Sequence, residues 1–123
     1  MKDHSKYSID PEIKFKHLEI IDLPQIIQEC TKKWQNVSLC SVNDSIVRLA
    51  VIEGEFHWHK HDKEDEFFLV IEGKLLIDLE DNVIELKPQQ AFTVPKGINH
   101  RTRAPTRTSV LLIEKSSIKP TGD

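Results

Sequence analysis

From residue 37 onward, apolar and polar residues alternate in short runs, and each run ends at a turn signal. Val37–Val42 stops at Asn43-Asp44, Ile46–Ile52 at Glu53-Gly54, and Glu55–His61 at the charged stretch Asp62–Asp65. Glu66–Ile71 stops at Glu72-Gly73, Lys74–Leu79 at Asp81-Asn82, Val83–Lys87 at Pro88, and Ala91–Val94 at Pro95-Lys96-Gly97. A last run covers Thr108–Glu114. A period of two bounded by turn chemistry predicts strands. Eight short strands at this spacing predict an all-β, antiparallel sandwich or barrel.

The pattern before residue 37 is different. Residues 1–14 read as an N-terminal tail, and Phe15–Ile21 as an edge strand. Asp22 is a candidate helix cap with Gln25 three positions on, as in a capping box. Leu23, Ile26, Ile27, Cys30 and Trp34 follow at helical spacing and predict one amphipathic helix over 23–34. The domain is therefore expected over 15–114, its barrel over about 37–114, with a polar C-terminal tail at 115–123. At 123 residues the chain has the length of one domain. Phe67-Phe68-Leu69-Val70-Ile71 is apolar on both faces and must be covered on both sides. A homodimer is the expected cover, since a two-fold contact offers the same patch from each subunit; the alternative is that the 15–21 strand folds across the patch within one subunit. Val47, Leu49, Val51, Leu75, Ile77 and Leu79 are read as the inward-facing set, which favours a small, partly apolar ligand.

Composition narrows the function classes. Apolar residues make up 38% and charged residues 30%, which suits a water-soluble globular domain. No apolar run reaches the roughly 20 residues of a membrane span, so no membrane partner is expected. The start Met1-Lys2-Asp3-His4 has no hydrophobic leader, so a cytoplasmic location is expected. Residues 41–90 carry five basic and twelve acidic residues, and 91–123 carry six and two. That asymmetry reads as complementary charge between neighbouring strands. Without a basic stripe interleaved with aromatics, nucleic acid is not an expected partner. Cys30 and Cys40 are not spaced as a CxxC pair and read as reduced thiols.

Histidine is concentrated in one place. His57, His59 and His61 alternate with Phe56, Trp58 and Lys60, and residues two apart on a strand share a face. Glu66 follows at the start of the next strand and can return to the same pocket, and His100 lies beyond Pro95-Lys96-Gly97. Three imidazoles and a carboxylate suit a divalent first-row metal, of which Fe, Mn, Ni and Zn are all candidates. Half-buried strand histidines with ordinary hydrogen bonds are the competing reading. His57 reads either as a pocket wall or as a packed ring. Phe68, on the face of Glu66, also falls on the pocket wall, while Phe56 and Trp58 fall on the opposite face as packing residues. By strand parity Arg101 and Arg103 point away from His100.

Residues 54–73, G-E-F-H-W-H-K-H-D-K-E-D-E-F-F-L-V-I-E-G, resemble the first cupin motif in the spacing of His59, His61, Glu66 and Gly73. Residues 95–100, P-K-G-I-N-H, resemble the second, Pro-x-Gly-x-x-His. The resemblance is to the cupin superfamily, and within it to small single-domain members described as mannose-6-phosphate isomerase-like. It implies a double-stranded β-helix, a jelly-roll-like barrel, with His59, His61, Glu66 and His100 as ligands of a divalent metal. Gln89 stands where the second motif usually has Gly, and Ala104 where it often has Asn. The function implied is a metalloenzyme, isomerase-like or dioxygenase-like, on a small metabolite, with Glu66 a possible base. The alternative is a non-catalytic pocket that binds or senses a small molecule. Fold alone does not choose between them.

Overall fold

A computed structural model describes residues 6–123. Among these residues strand β1 (Ser8–Ile13) precedes one helix, α1 (Leu23–Glu29), after which come β2 (Trp34–Val42), β3 (Ser45–Glu55), β4 (Glu66–Glu72), β5 (Leu75–Asp78), β6 (Val83–Leu86), β7 (Ala91–Val94) and β8 (Arg101–Lys115). The fold is mostly β, as the alternation predicts. None of the described helices is long and apolar enough to cross a membrane.

The last strand organises the rest. The sheet runs β1-β2-β3-β8-β4-β7, with β5 attached to β8 and β6 attached to β5. On one edge β8 takes β3 over nearly its full length, from Ser45 opposite Lys115 to Glu55 opposite Arg103. On the other edge its first residues pair with β5 and its C-terminal half pairs with β4. The result is a jelly-roll arrangement. It is not the closed barrel expected from the sequence, because the pairing path ends at β1 and β7 and does not join them.

Two apolar clusters fill the fold, one on each face of the central strands. The inner cluster contains Trp34, Ala50, Ile52, Phe68, Val70, Leu75, Ile77, Val110 and Leu112. The outer cluster contains Leu39, Leu49 and Val51, closed over by Ile26 and Cys30 of the helix region, with Phe15, Ile21 and Ile71 packed against it. This corrects the inward set: Leu75, Ile77 and Leu79 belong to the inner cluster, but Val47, Leu49 and Val51 face the helix. On β3 every residue from Leu49 to Ile52 is buried, so hydrophobicity alone could not tell its two faces apart.

The N-terminal section differs from its expected form. Residues 15–21 form no strand. The strand lies at Ser8–Ile13, in the expected tail, and pairs parallel to β2 as an edge, where Pro11 is tolerated because an edge strand need not use every N–H. Asp22 caps α1 by accepting from the Gln25 N–H, but the helix ends at Glu29 and Cys30 is already extended. Trp34, taken for the helix's last apolar position, instead starts β2 opposite Ile52. The expected strand Glu55–His61 stops at Glu55, and beyond it the chain is an extended arm. On β4, Leu69 and Ile71, expected to be buried, are half-buried along with Phe67. The charge asymmetry has a structural counterpart: Asp78 accepts from Arg103 Nε at 2.7 Å and from Arg101 Nε at 2.9 Å across the β5–β8 pair.

Candidate metal centre

The arm that leaves β3 carries the first two candidate ligands. It is tied to the segment before β8 by a pair of backbone hydrogen bonds, His59 N–H to His100 O and His100 N–H to His59 O, both 2.9 Å. That bridge brings the two imidazoles to a centroid separation of 4.4 Å. The Gly97 N–H, in the turn before His100, donates to the His61 carbonyl at 2.7 Å. Gly97 has φ +84°, in the left-handed region that favours glycine. Glu66, the first residue of β4, completes the set. His59, His61, Glu66 and His100 are all buried, and one potential ligand atom from each lies within 4.8 Å of the others.

Ring orientation suits coordination at two of the three histidines. His59 Nδ1 donates to the His57 carbonyl at 3.0 Å, and His100 Nδ1 donates to the Ile98 carbonyl at 2.9 Å. With Nδ1 so engaged, Nε2 is the nitrogen that each ring can offer to a metal. His100 Nε2 lies 3.2 Å from Glu66 Oε1, and His61 Nε2 lies 3.6 Å from the same oxygen. Both ring nitrogens of His61 are buried without a hydrogen-bond partner. Buried polar atoms are rarely left so, and a cation among these four side chains would give one of them its partner. Three neutral imidazoles and one carboxylate are a suitable donor set for a divalent transition metal.

The charge states agree with that role. Burial, and then the neighbouring His100, lower His59 to a pKa of about 4, so its ring is neutral at pH 7. Burial pushes Glu66 up, but the imidazoles of His100 and His61 and the carboxyl of Glu114 outweigh it and hold Glu66 below the usual carboxylate range. Glu114 moves the other way: burial first, then the charge of Glu66, raise it well above the usual range against the pull of Arg48. Glu114 Oε2 has no donor among the described residues.

Glu114 and Arg48 are residues that the sequence reading missed. Arg48 Nε lies 2.7 Å from Glu114 Oε1, with both side chains almost wholly buried, and Arg48 Nη1 donates to Ser38 Oγ at 2.8 Å. A polar chain therefore runs from the candidate ligand Glu66 through Glu114 and Arg48 to β2. The available signal was an opposite charge inside each of two apolar runs, Ile46-Val47-Arg48-Leu49 and Leu111-Leu112-Ile113-Glu114, since charges that enter a core need partners.

The pocket beside this centre has Trp34, Phe56, Ile52, Phe68, Leu75 and Leu112 among its walls, with Asn36, Thr102 and Glu114 as its polar positions apart from His59 and Glu66. Phe68 is where the sequence placed it. Phe56 is not on the opposite face, because the irregular arm turns both Phe56 and His59 to the pocket. His57 turns away: its ring stacks on Phe56 at 4.3 Å and its Nε2 donates to the Thr121 carbonyl at 2.6 Å. Arg101 and Arg103 point outward as expected, Arg101 lying over the Trp58 ring. Gln89 has φ +72°, in the left-handed region that favours glycine.

Residues 45–114 match the family profile described as Cupin domain. The uncharacterised protein YdbB of Bacillus subtilis is 46% identical over 94 residues, covering 76% of this chain and 83% of the relative. Among solved structures, a cupin-2 domain protein from Shewanella frigidimarina superposes with a TM-score of 0.75 at 31% identity, covering 78% of this chain and 94% of that one. Protein NMB1881 from Neisseria meningitidis gives 0.71 at 26% identity, covering 79% and 99%.

Proposed function

Because the chain belongs to the cupin family, we propose that it is a metal-dependent enzyme acting on a small, largely apolar metabolite, with His59, His61, Glu66 and His100 as the metal ligands. The observation that carries this is the convergence of three imidazoles and one carboxylate in a buried cluster beside an apolar pocket. A bound Fe, Mn, Ni or Zn ion would supply Lewis acidity there and, if iron, a site for dioxygen. The chain's own residues supply the remainder. Trp34, Phe56 and Phe68 exclude water and hold the apolar body of the ligand. Glu66, engaged by two imidazoles, serves as ligand in preference to base, while Glu114 holds a proton at the pocket wall. Among the described residues lining the pocket none is Lys or Arg, which speaks against a phosphosugar substrate.

A binding or sensing role is the second reading. It is favoured by the immobilisation of Glu66 within its hydrogen-bonded cluster, which leaves no carboxylate free to act as base. A homodimer in the cytoplasm completes the proposal. Ile113 is 38% exposed and pairs with half-buried Phe67, forming an apolar strip on the outer face beyond the reach of α1.

Elemental analysis of protein purified without added metal tests the centre. About one equivalent is expected for the wild type, and His59→Ala and His100→Ala should each strip it. Retention of a full equivalent by both variants sinks the ligand assignment. Oxygen uptake, measured if iron is found, separates enzyme from binding module. A light-scattering mass near 14.2 kDa at micromolar concentration rejects the dimer.

A further inference from the structure

The three histidines of the centre are not held alike. His59 and His100 each rest Nδ1 on the carbonyl of the residue two positions earlier. His61 is 2% exposed, its Nε2 faces Glu66, and its Nδ1 has no partner. Nothing in its own backbone fixes its tautomer. A metal-bound imidazole needs its other N–H engaged if the ring is to stay oriented.

What surrounds His61 on the outer side is the C-terminal segment. Ile118 anchors it by burial. From there the chain crosses the arm: Thr121 O accepts from His57, Asp123 N–H donates to Lys60 O at 3.0 Å, and the Asp62 N–H donates to Asp123 Oδ2 at 2.6 Å. Ser117 Oγ donates to Glu64 Oε2 at 3.1 Å. Gly122 has φ +98°, and a Cβ there would sit 2.6 Å from His59 Cβ, so the segment lies directly on the ligand arm. One nitrogen of His61, one oxygen of Glu64 and one of Asp123 lie within 4.8 Å of one another, a span that a single bridging water covers.

We propose that Glu64 and Asp123 are positioning residues for the metal centre. They take the Nδ1 hydrogen of His61 through one bridging water, and so do for this ring what backbone carbonyls do for His59 and His100. The C-terminal segment is then part of the centre, since it delivers Asp123 and backs His59 with Gly122. This inference rests on the metal-centre reading above, but concerns residues outside the four ligands.

The test is titration of the chelator-treated full chain with Co2+, followed by calorimetry and by the visible absorption of the bound ion. Glu64→Gln and Asp123→Asn should each weaken Co2+ binding, and together by about 10–100-fold, at unchanged stoichiometry. Asp123→Glu should restore part of the loss. Gly122→Ala should shift the cobalt absorption bands by displacing His59. The thermal midpoint of the metal-free Glu64→Gln and Asp123→Asn variants should stay at the wild-type value. Unchanged Co2+ affinity in the double variant overturns the proposal, and so does a lowered metal-free midpoint with unchanged affinity, which would make the segment a structural brace only. A second Co2+ equivalent in the wild type, lost in the double variant, also overturns it, because His61, Glu64 and Asp123 would then be a separate cation site. If the wild type binds no Co2+, the metal-centre reading falls and this one with it.

Discussion

On its outer side β3 turns Leu49 and Val51 to the helix, whereas one residue out of phase it turns Ala50 and Ile52 to the pocket, with Arg48 buried on the same face. Both faces are dry. The outer cluster is apolar apart from the Cys30 thiol. The inner one surrounds a polar chain of Glu66, Glu114, Arg48 and Ser38. Burial is therefore no guide to which face carries the chemistry. The difference lies in what each face must hold: the outer one only has to exclude water, while the inner one keeps charges in fixed places at a cost in desolvation.

The comparison breaks most visibly at Arg48. Arg48→Met leaves the net negative charge of the Glu66–Glu114 pair uncompensated and is expected to cost about 3–5 kcal/mol, whereas Leu49→Ala on the other face costs about 3 kcal/mol through its cavity alone. Urea denaturation of the chelator-treated proteins measures both. The sharper distinction is metal affinity, which Arg48→Met changes and Leu49→Ala leaves intact; equal effects on affinity would mean that the two faces are not functionally distinct.

Acid separates the faces next. His59 has a folded pKa of about 4 against about 6.5 in an unfolded chain. Between these values the unfolded state binds more protons, so the contribution of His59 is complete above about pH 6.5 and is lost as pH falls towards 4. Glu114, raised in the fold, acts in the opposite sense and partly masks this in the wild type. The difference in stability between metal-free wild type and His59→Gln isolates it. That difference should grow by roughly 3 kcal/mol from pH 4 to 6.5, at about 1.4 kcal/mol per pH unit. A flat difference refutes the assignment, and Leu49→Ala should show no such dependence.

The smallest effect lies at the turn before β7. Gln89 is held at φ +72°, a conformation that costs an L-residue about 1–2 kcal/mol. Gln89→Gly should stabilise the protein by about 1 kcal/mol in chemical denaturation, with metal content unchanged. Destabilisation would show that the Gln89 side chain contributes more than its backbone strain costs.

Most of the strands and all four candidate ligands were legible because they depend on local spacing. His59 and His61 two apart, Glu66 opening a strand and Gly97 three before His100 are short-range facts. What was not legible depends on pairing across the chain. The parity of β3 needed knowledge of which buried face meets the helix. Trp34 fits a helical stripe and a strand equally well, and only its pairing with Ile52 decides. Phe56 was misplaced because the arm ceases to be a strand after Glu55, so alternation no longer applies. Arg48 and Glu114 are far apart in sequence, and the roles of Ser117–Asp123 follow from docking that no local pattern encodes.

The position of β8 in the chain bears on how the molecule is made. β8 is the last strand in sequence and pairs with β3, β4 and β5, its partners at the β3 end lying as far apart as Ser45 and Lys115. During synthesis β3 and β4 are therefore without the neighbour that joins them until β8 emerges. Contacts of such long sequence separation close slowly, and in the interval two apolar strands present open edges of the kind that invite association. His100 immediately precedes β8, so its place in the centre depends on that strand having paired. No N-terminal fragment that stops short of β8 can hold it.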